Sequence, residues 1–434
     1  MWLAVRQCWV LFVGLLLFML GNGLQGTLIG VRTQSLEYGN ILTGLIMGGY
    51  FVGMFLGSIF APNLISRVGH VRVFGAVASL ASIAILVFPM ISEPFTWFIM
   101  RVIIGFSFAG LYIVVESWLN DRATNETRGQ VLGIYMIITL LGFSFGQLML
   151  NLSDPETFEL FALVSILISI AVIPVLVSAQ PMPSFEAPDR MSLMALYKIT
   201  PLGITVIALV GLANGVFLGL GGPYMIQQGF SNAEVSYFLA IYSIGGLCCT
   251  YPLGKLSDIQ DRRKIIIAAA TIAVFASFAG TWFGINRDII PLLLASFVFG
   301  GMALPLYSLC LAHTNDLLKP SQMVAASSTL LLMNGFGSII GATAGGFIMN
   351  FGGAKTFFMM LSAIHIAIAL YAFWRFKQRS FDLDAEDKNN YIPISARASS
   401  VASALNPDAE WPEYYQDDYD PDADTQTDEP DEQS

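Results

Sequence analysis

Runs of about twenty apolar residues recur between residues 7 and 376, broken only by short polar connections, and that recurrence confines the chain to a membrane-spanning fold. In hydrocarbon a backbone amide finds no water, so each run must satisfy its hydrogen bonds within itself or in a closed barrel. These runs are about twice the length of barrel strands and are therefore helices. The expected spans are 7–30, 41–62, 73–91, 95–118, 129–151, 158–179, 200–227, 234–253, 265–284, 290–314, 322–348 and 355–376. A chain of 434 residues that is 55% hydrophobic and 12% charged exposes more apolar surface than a water-soluble core hides. The first run follows Arg6 as a secretory leader would. It continues past Gly14 to Ile29 without a small-residue cleavage site, and so reads as a span.

Charge divides the chain unevenly. From Phe381 to Ser434 there are sixteen Asp and Glu against Lys388 and Arg397, a balance of −14 within a total of −10, which leaves +4 for the rest. Arg and Lys crowd the connections of one face: Arg6, Arg67, Arg72, Arg122, Arg128, Arg190, Lys198, Lys255, Arg262, Arg263, Lys264, Lys319, Arg375, Lys377 and Arg379. The other face carries Arg32, Arg287 and Lys355. The positive-inside rule then places both termini in the cytoplasm, and an even number of spans agrees in putting the two ends on one side.

The expected organisation is a six-helix bundle over 1–179, a proline-containing linker over 180–199, a second bundle over 200–376 and a tail over 377–434. Few aliphatics and many acids mark the tail as disordered and cytoplasmic. Helix starts are signalled by Thr200 before Pro201, by Asp288 ahead of Pro291, and by the capping box of Ser231 and Glu234. Cys8, Cys248, Cys249 and Cys310 sit in apolar runs without metal-ligand or redox spacing and read as packing residues.

The two halves superpose in sequence. A shift of 192 places Asn22 and Gly23 on Asn214 and Gly215, Tyr50 on Tyr242, Gly53 on Gly245, and the basic loop 66–72 on 258–264. Three residues more bring Tyr112 onto Tyr307, Asp121 onto Asp316, and Gly142 and Gly146 onto Gly337 and Gly341.

The loop Gly254-Lys-Leu-Ser-Asp258-Ile-Gln-Asp-Arg262-Arg263-Lys resembles the signature loop of the major facilitator superfamily. Arg101-x-x-x-Gly105 is similar to that superfamily's arginine motif on its fourth helix. More narrowly, Val114-Val-Glu116-Ser, Arg128-Gly129, Pro305-Leu-Tyr307-Ser and Gly335-x-Gly337-Ser-x-x-Gly341 resemble its YcaD-like bacterial branch. The fifth span has Gly142-Phe-Ser-Phe-Gly146-Gln where drug/proton antiporters carry a Gly-Pro element.

The resemblance implies an all-α membrane protein of twelve helices in two pseudo-symmetric halves, multi-pass in a bacterial inner membrane. Alternating access around a midplane site would make it a secondary transporter of a small organic solute, driven by protons or another gradient. The alternatives are an efflux pump for amphipathic compounds and a non-transporting membrane sensor of the same fold. Spans 1, 4, 7 and 10 would line the cavity, making Asn22, Gln25, Arg101, Tyr112, Asn214, Tyr307 and His313 its candidate contacts.

Asn22 and Gln25 share a helix face, and the amides read equally as substrate contacts and as interhelical packing. Arg101 would favour an organic anion. Glu116 admits two readings, an ion pair with Arg67, Arg72 or Arg128, and a proton-coupling carboxylate. Arg67, Arg72, Asp121, Arg128, Gly254, Asp258, Arg262, Arg263 and Asp316 are the candidate latch at the cytoplasmic ends, with Ser66 standing where the second loop has Asp258. No phosphate-binding glycine loop, zinc spacing or nucleophile elbow occurs, so no metal, cofactor, nucleic acid partner or enzymatic reaction is expected.

Overall fold

The computed structural model describes residues 2–124, 127–177, 190–378 and 389–409. The first half comprises α1 (Trp2–Ser35), α2 (Gly39–Val68), α3 (His70–Met90), α4 (Pro94–Arg122), α5 (Arg128–Leu148) and α6 (Glu159–Val177). A short α7 (Leu193–Ile199) leads into the second half: α8 (Pro201–Gln227), α9 (Asn232–Ile259), α10 (Arg262–Asn286), α11 (Ile289–Ala303), α12 (Pro305–Asn315), α13 (Met323–Gly352) and α14 (Thr356–Gln378). Eleven described stretches are long and apolar enough to cross a membrane, and a shorter apolar helix within α6 makes the twelfth. Phe60, Phe95, Phe275, Trp282 and Trp374 stand exposed on the outside, where lipid would cover them.

Helix ends follow their chemistry. Thr200 accepts from the Gly203 N–H ahead of Pro201, and Ser231 with Glu234 forms the expected reciprocal box. Asp288 stands at the start of α11 without a side-chain cap bond. The tenth span is broken into α11 and α12 at Leu304, because Pro305 has no N–H to continue the ladder.

The internal repeat is realised in three dimensions. A Cβ added at Gly23 would lie 2.1 Å from the Phe143 carbonyl, and one at Gly215 2.1 Å from the Ser338 carbonyl. Gly53 and Gly245 meet the carbonyls of Val102 and Phe297 in the same way, at 2.0 and 2.1 Å. Lipid offers no hydrophobic drive between helices, so backbones that approach this closely supply packing instead.

The halves meet at the end of the molecule opposite the basic loops. Gln227 Nε2 donates to Gln34 Oε1 at 3.0 Å, Asn151 Nδ2 to Ser236 Oγ at 2.7 Å, and a Cβ on Gly44 would lie 2.9 Å from the Cα of Gly346. At the basic end the space between the halves is filled by residues 389–409. This stretch departs from the disordered tail expected over 377–434; residues 379–388 and 410–434 lie outside the described residues, as does 180–189 of the linker. The departure has a compositional cause: positions 389–407 contain no Asp or Glu and include Tyr391, Ile392, Ile394, Val401 and Leu405. Ile394, Val401 and Leu405 are buried against the helices.

Candidate functional site

A cavity between the halves is lined by α1, α2, α4, α5, α8, α9, α12, α13 and the 394–397 stretch of the tail. Its most unusual occupant is Arg101, a residue only 3% exposed at membrane depth. Arg101 Nη1 donates to Gln25 Oε1 at 2.6 Å, and the guanidinium stacks over the Tyr50 ring at 4.8 Å. The bonds continue in one direction: Gln25 Nε2 donates to Asn22 Oδ1 at 3.0 Å, and Asn22 Nδ2 to the Tyr112 hydroxyl at 3.2 Å. Tyr50 adds a bond to Asn22 Oδ1 at 3.4 Å. Gln25 therefore holds one prong of the guanidinium, while Arg101 Nε has no hydrogen-bond partner among the described residues. No carboxylate is among the described residues lining this cavity. A buried cation that meets no counter-ion among the described residues is electrostatically costly.

The sequence candidates separate on this geometry. Asn22, Gln25, Arg101 and Asn214 line the cavity together. Asn214 accepts from Tyr242 at 3.5 Å, repeating the Asn22–Tyr50 pair of the first half. Tyr112 and Tyr307 are buried and absent from the lining; Tyr112 supports Asn22 from behind. His313 is likewise absent from the lining and faces the charges of Arg263, Asp261, Arg262 and Arg375 at the basic end. The reason is the turn of α12, which aims position 308 and not 313 at the gap between the halves. Tyr50, Phe143, Asn334 and Arg397 line the cavity without having been singled out for it. The repeat already marked Tyr50, and Arg397 is the lone base of the acid-free stretch.

The basic loop of the second half forms the expected clamp. Arg262, with a side chain 1% exposed, donates from Nε to Asp316 at 2.6 Å and from Nη1 to Asp258 at 3.0 Å. Arg263 pairs with Asp261 at 2.6 Å and lies over the Phe376 ring. Although burial raises it, the Asp261 pKa stands below its ordinary value because the Arg263 side chain and backbone N–H donate to the carboxylate.

No such clamp forms among the described residues of the first half. Arg67 and Arg72 are exposed, Ser66 bonds to the Asn63 carbonyl, and Asp121 reaches only its neighbour Arg122 at 4.0 Å. His70 occupies the repeat position of Arg262, and its Nε2 hydrogen-bonds with the Ser117 hydroxyl at 2.9 Å. The Nε of Arg128 is buried with no hydrogen-bond partner among the described residues.

Glu116 is fully buried, and no ion pair joins it to Arg67, Arg72 or Arg128. Its carboxylate instead accepts from the Tyr135 hydroxyl, from the Ser399 N–H at 3.0 Å, and from the Ser399 hydroxyl. The tail reaches it first, which the sequence could not show because the two positions are 283 residues apart.

The tail is also held at the second half. The Asn389 N–H donates to Asp316 at 3.1 Å and the Tyr391 N–H to Asp258 at 2.9 Å, while the Tyr391 and Ser308 hydroxyls meet at 2.6 Å. Gly254 explains itself here, since a Cβ would stand 2.0 Å from the Tyr391 ring. Between these anchors Arg397 lies over the Phe143 ring at 3.5 Å. With the tail in place the cavity is about 110 Å³. Ordinary small-molecule pockets hold roughly 300–1,000 Å³.

Comparison with known proteins gives a consistent result. Residues 11–231 and 203–405 match the family model described as Major Facilitator Superfamily. The chain is 24% identical over 361 residues to a protein of Salmonella typhimurium named "Uncharacterized MFS-type transporter YcaD", covering 83% of this chain and 93% of that one. Among solved structures, a mutant of the nucleoside transporter NupG superposes with a TM-score of 0.73 at 14% identity, covering 85% of this chain and 99% of that chain. The human organic anion transporter MFSD10 superposes with a TM-score of 0.60 at 16% identity, with 85% and 99% covered.

Proposed function

This chain belongs to the major facilitator superfamily, and from that premise we propose that it carries a small organic anion across a bacterial inner membrane by alternating access. The observation that carries the reading is Arg101, buried in the central cavity, tethered through one prong to Gln25 and facing no carboxylate in the lining. A carboxylate or phosphate group would take the free edge of the guanidinium, and Tyr50, Phe51, Phe55 and Phe143 would receive an apolar body. The distribution of Arg and Lys supports an orientation with the basic end and both termini toward the cytoplasm. The clustering of contacts at the opposite end then corresponds to an inward-facing arrangement, with substrate exchanged through the basic end.

The test is a thermal-stability screen of the purified protein against monocarboxylates, dicarboxylates, sugar phosphates, amines and nucleosides. One or more organic anions should raise the melting temperature in proportion to the logarithm of their concentration, and amines should not. Stabilisation by amines or neutral nucleosides with none by any anion would overturn the reading.

A further inference from the structure

The acid-free stretch of the tail is built into the one route by which the central cavity could open at the basic end. It is anchored at both sides of that route by different chemistry. On the second half, Asp258 and Asp316 already bind Arg262, and each spends a remaining lone pair on a tail amide: Tyr391 N–H at 2.9 Å and Asn389 N–H at 3.1 Å. On the first half, the buried Glu116 accepts the Ser399 N–H and hydroxyl. The short 3-10 turn Ser400–Leu405 that follows packs against α4, α5 and α13, and Pro407 lies beside Gly129 at the foot of α5. Between the anchors, residues 394–397 form part of the cavity wall itself. A solute entering or leaving by the basic end would have to pass through the volume these residues fill. The two halves also cannot rock at that end without breaking one set of anchors.

We infer that residues 389–409 are an autoinhibitory plug, which fills the basic-end mouth of the cavity and staples the two halves until it is displaced. The inference needs neither a known substrate nor the anion reading. The anchors also explain two features of the sequence that transport alone leaves over. Gly254 is the one residue that leaves room for the Tyr391 ring, and Glu116 is a buried carboxylate whose described partners are neutral hydroxyl and amide groups. The bonds that hold the plug to Glu116 and Asp258 are non-covalent side-chain and amide contacts, which can break and re-form.

The test measures access to the cavity directly. Leu332 lines the cavity on α13, and Leu332→Cys in the full chain gives a site whose reaction with a membrane-impermeant maleimide is counted by peptide mass spectrometry. Two further substitutions attack the plug from opposite sides. Ser399→Asp sets a second carboxylate against Glu116, and Gly254→Ala takes the space of the Tyr391 ring. Each should speed labelling of position 332 roughly tenfold or more, as expected for losing one or two hydrogen bonds to a charged group. A synthetic peptide of residues 389–409, added to Ser399→Asp protein, should slow it again. Unchanged labelling in both variants, with the elution profile of a folded protein, would overturn the plug. So would faster labelling that the peptide does not reverse, because that would make the effect one of loosened packing.

Discussion

The two halves share a backbone plan and differ in what they place at its centre. In the first half, the repeat positions 25 and 101 hold Gln25 and Arg101, which join Asn22, Tyr50 and Tyr112 in a polar chain. In the second half, the same positions hold Phe217 and Ser296. Phe217 stacks on Tyr242 at 3.7 Å and on Phe238 and Phe299 at 5.4 and 5.6 Å, and Ser296 turns to the Phe238 carbonyl. One half thus keeps a charged face toward the cavity, while the other has converted the equivalent layer into dry aromatic packing. At the basic end the asymmetry reverses. There the second half has the closed clamp of Arg262 with Asp258 and Asp316, and the first half has a serine, two exposed arginines and His70. A duplicated fold thus carries a buried polar chain in its first half and aromatic packing with a closed ion-pair clamp in its second.

The sharpest way to break that division is to exchange its central residues. Arg101→Gln should abolish the stabilisation by any anion found in the ligand screen, a loss of at least about thirtyfold in affinity, because truncating one partner of a buried charged contact costs roughly 2–5 kcal/mol. Ser296→Ala, at the matching position, should leave affinity within about twofold, a difference on the order of 0.4 kcal/mol. Phe217→Ala should behave in the opposite manner. It should lower the melting temperature, with a cost of about 3–5 kcal/mol for a truncated buried aromatic, and change affinity far less.

Smaller effects should separate the two basic loops. Asp316→Asn leaves Arg262 with a weaker partner at a side chain 4% exposed, and should destabilise more than Asp258→Asn, where the side chain is 33% exposed. Ser66→Ala should change stability by no more than about 0.5 kcal/mol, since it removes one bond to the chain's own backbone at the surface. Urea or thermal unfolding in detergent orders the three; equal effects at positions 66 and 316 would end the distinction between the loops.

Much of the architecture was legible because membrane helices declare themselves by length, and because the repeat preserved two equivalent contacts, Tyr50 with Asn22 and Tyr242 with Asn214. The polar chain was legible in part: Asn22, Gln25 and Arg101 stood out as costly residues at membrane depth. Their connection through Tyr50 required knowing that α2 crosses α1 at that level. The ion pairs of Arg262 with Asp258 and Asp316 lie where the loop's motif pointed, and the partners of Glu116 do not. A carboxylate near basic loops reads as an ion pair, yet its partners come from a tail segment hundreds of residues away. That segment was hidden by averaging, because a window that includes the eleven acids of 410–434 reads as solvated although positions 389–407 carry none. His313 was misplaced for a local reason: Pro305 restarts the helix, and the register of α12 then turns position 313 toward Arg263 and Asp261.

The central claim, an anion held by Arg101 in a cavity reached by alternating access, is tested most directly by counterflow. Proteoliposomes loaded with the anion that stabilises the protein best, and diluted into a trace of the labelled compound, should show transient accumulation of label. Wild type and Ser296→Ala should overshoot alike, while Arg101→Gln, folded and inserted to the same level, should show none. An overshoot of wild-type size in Arg101→Gln would contradict the account.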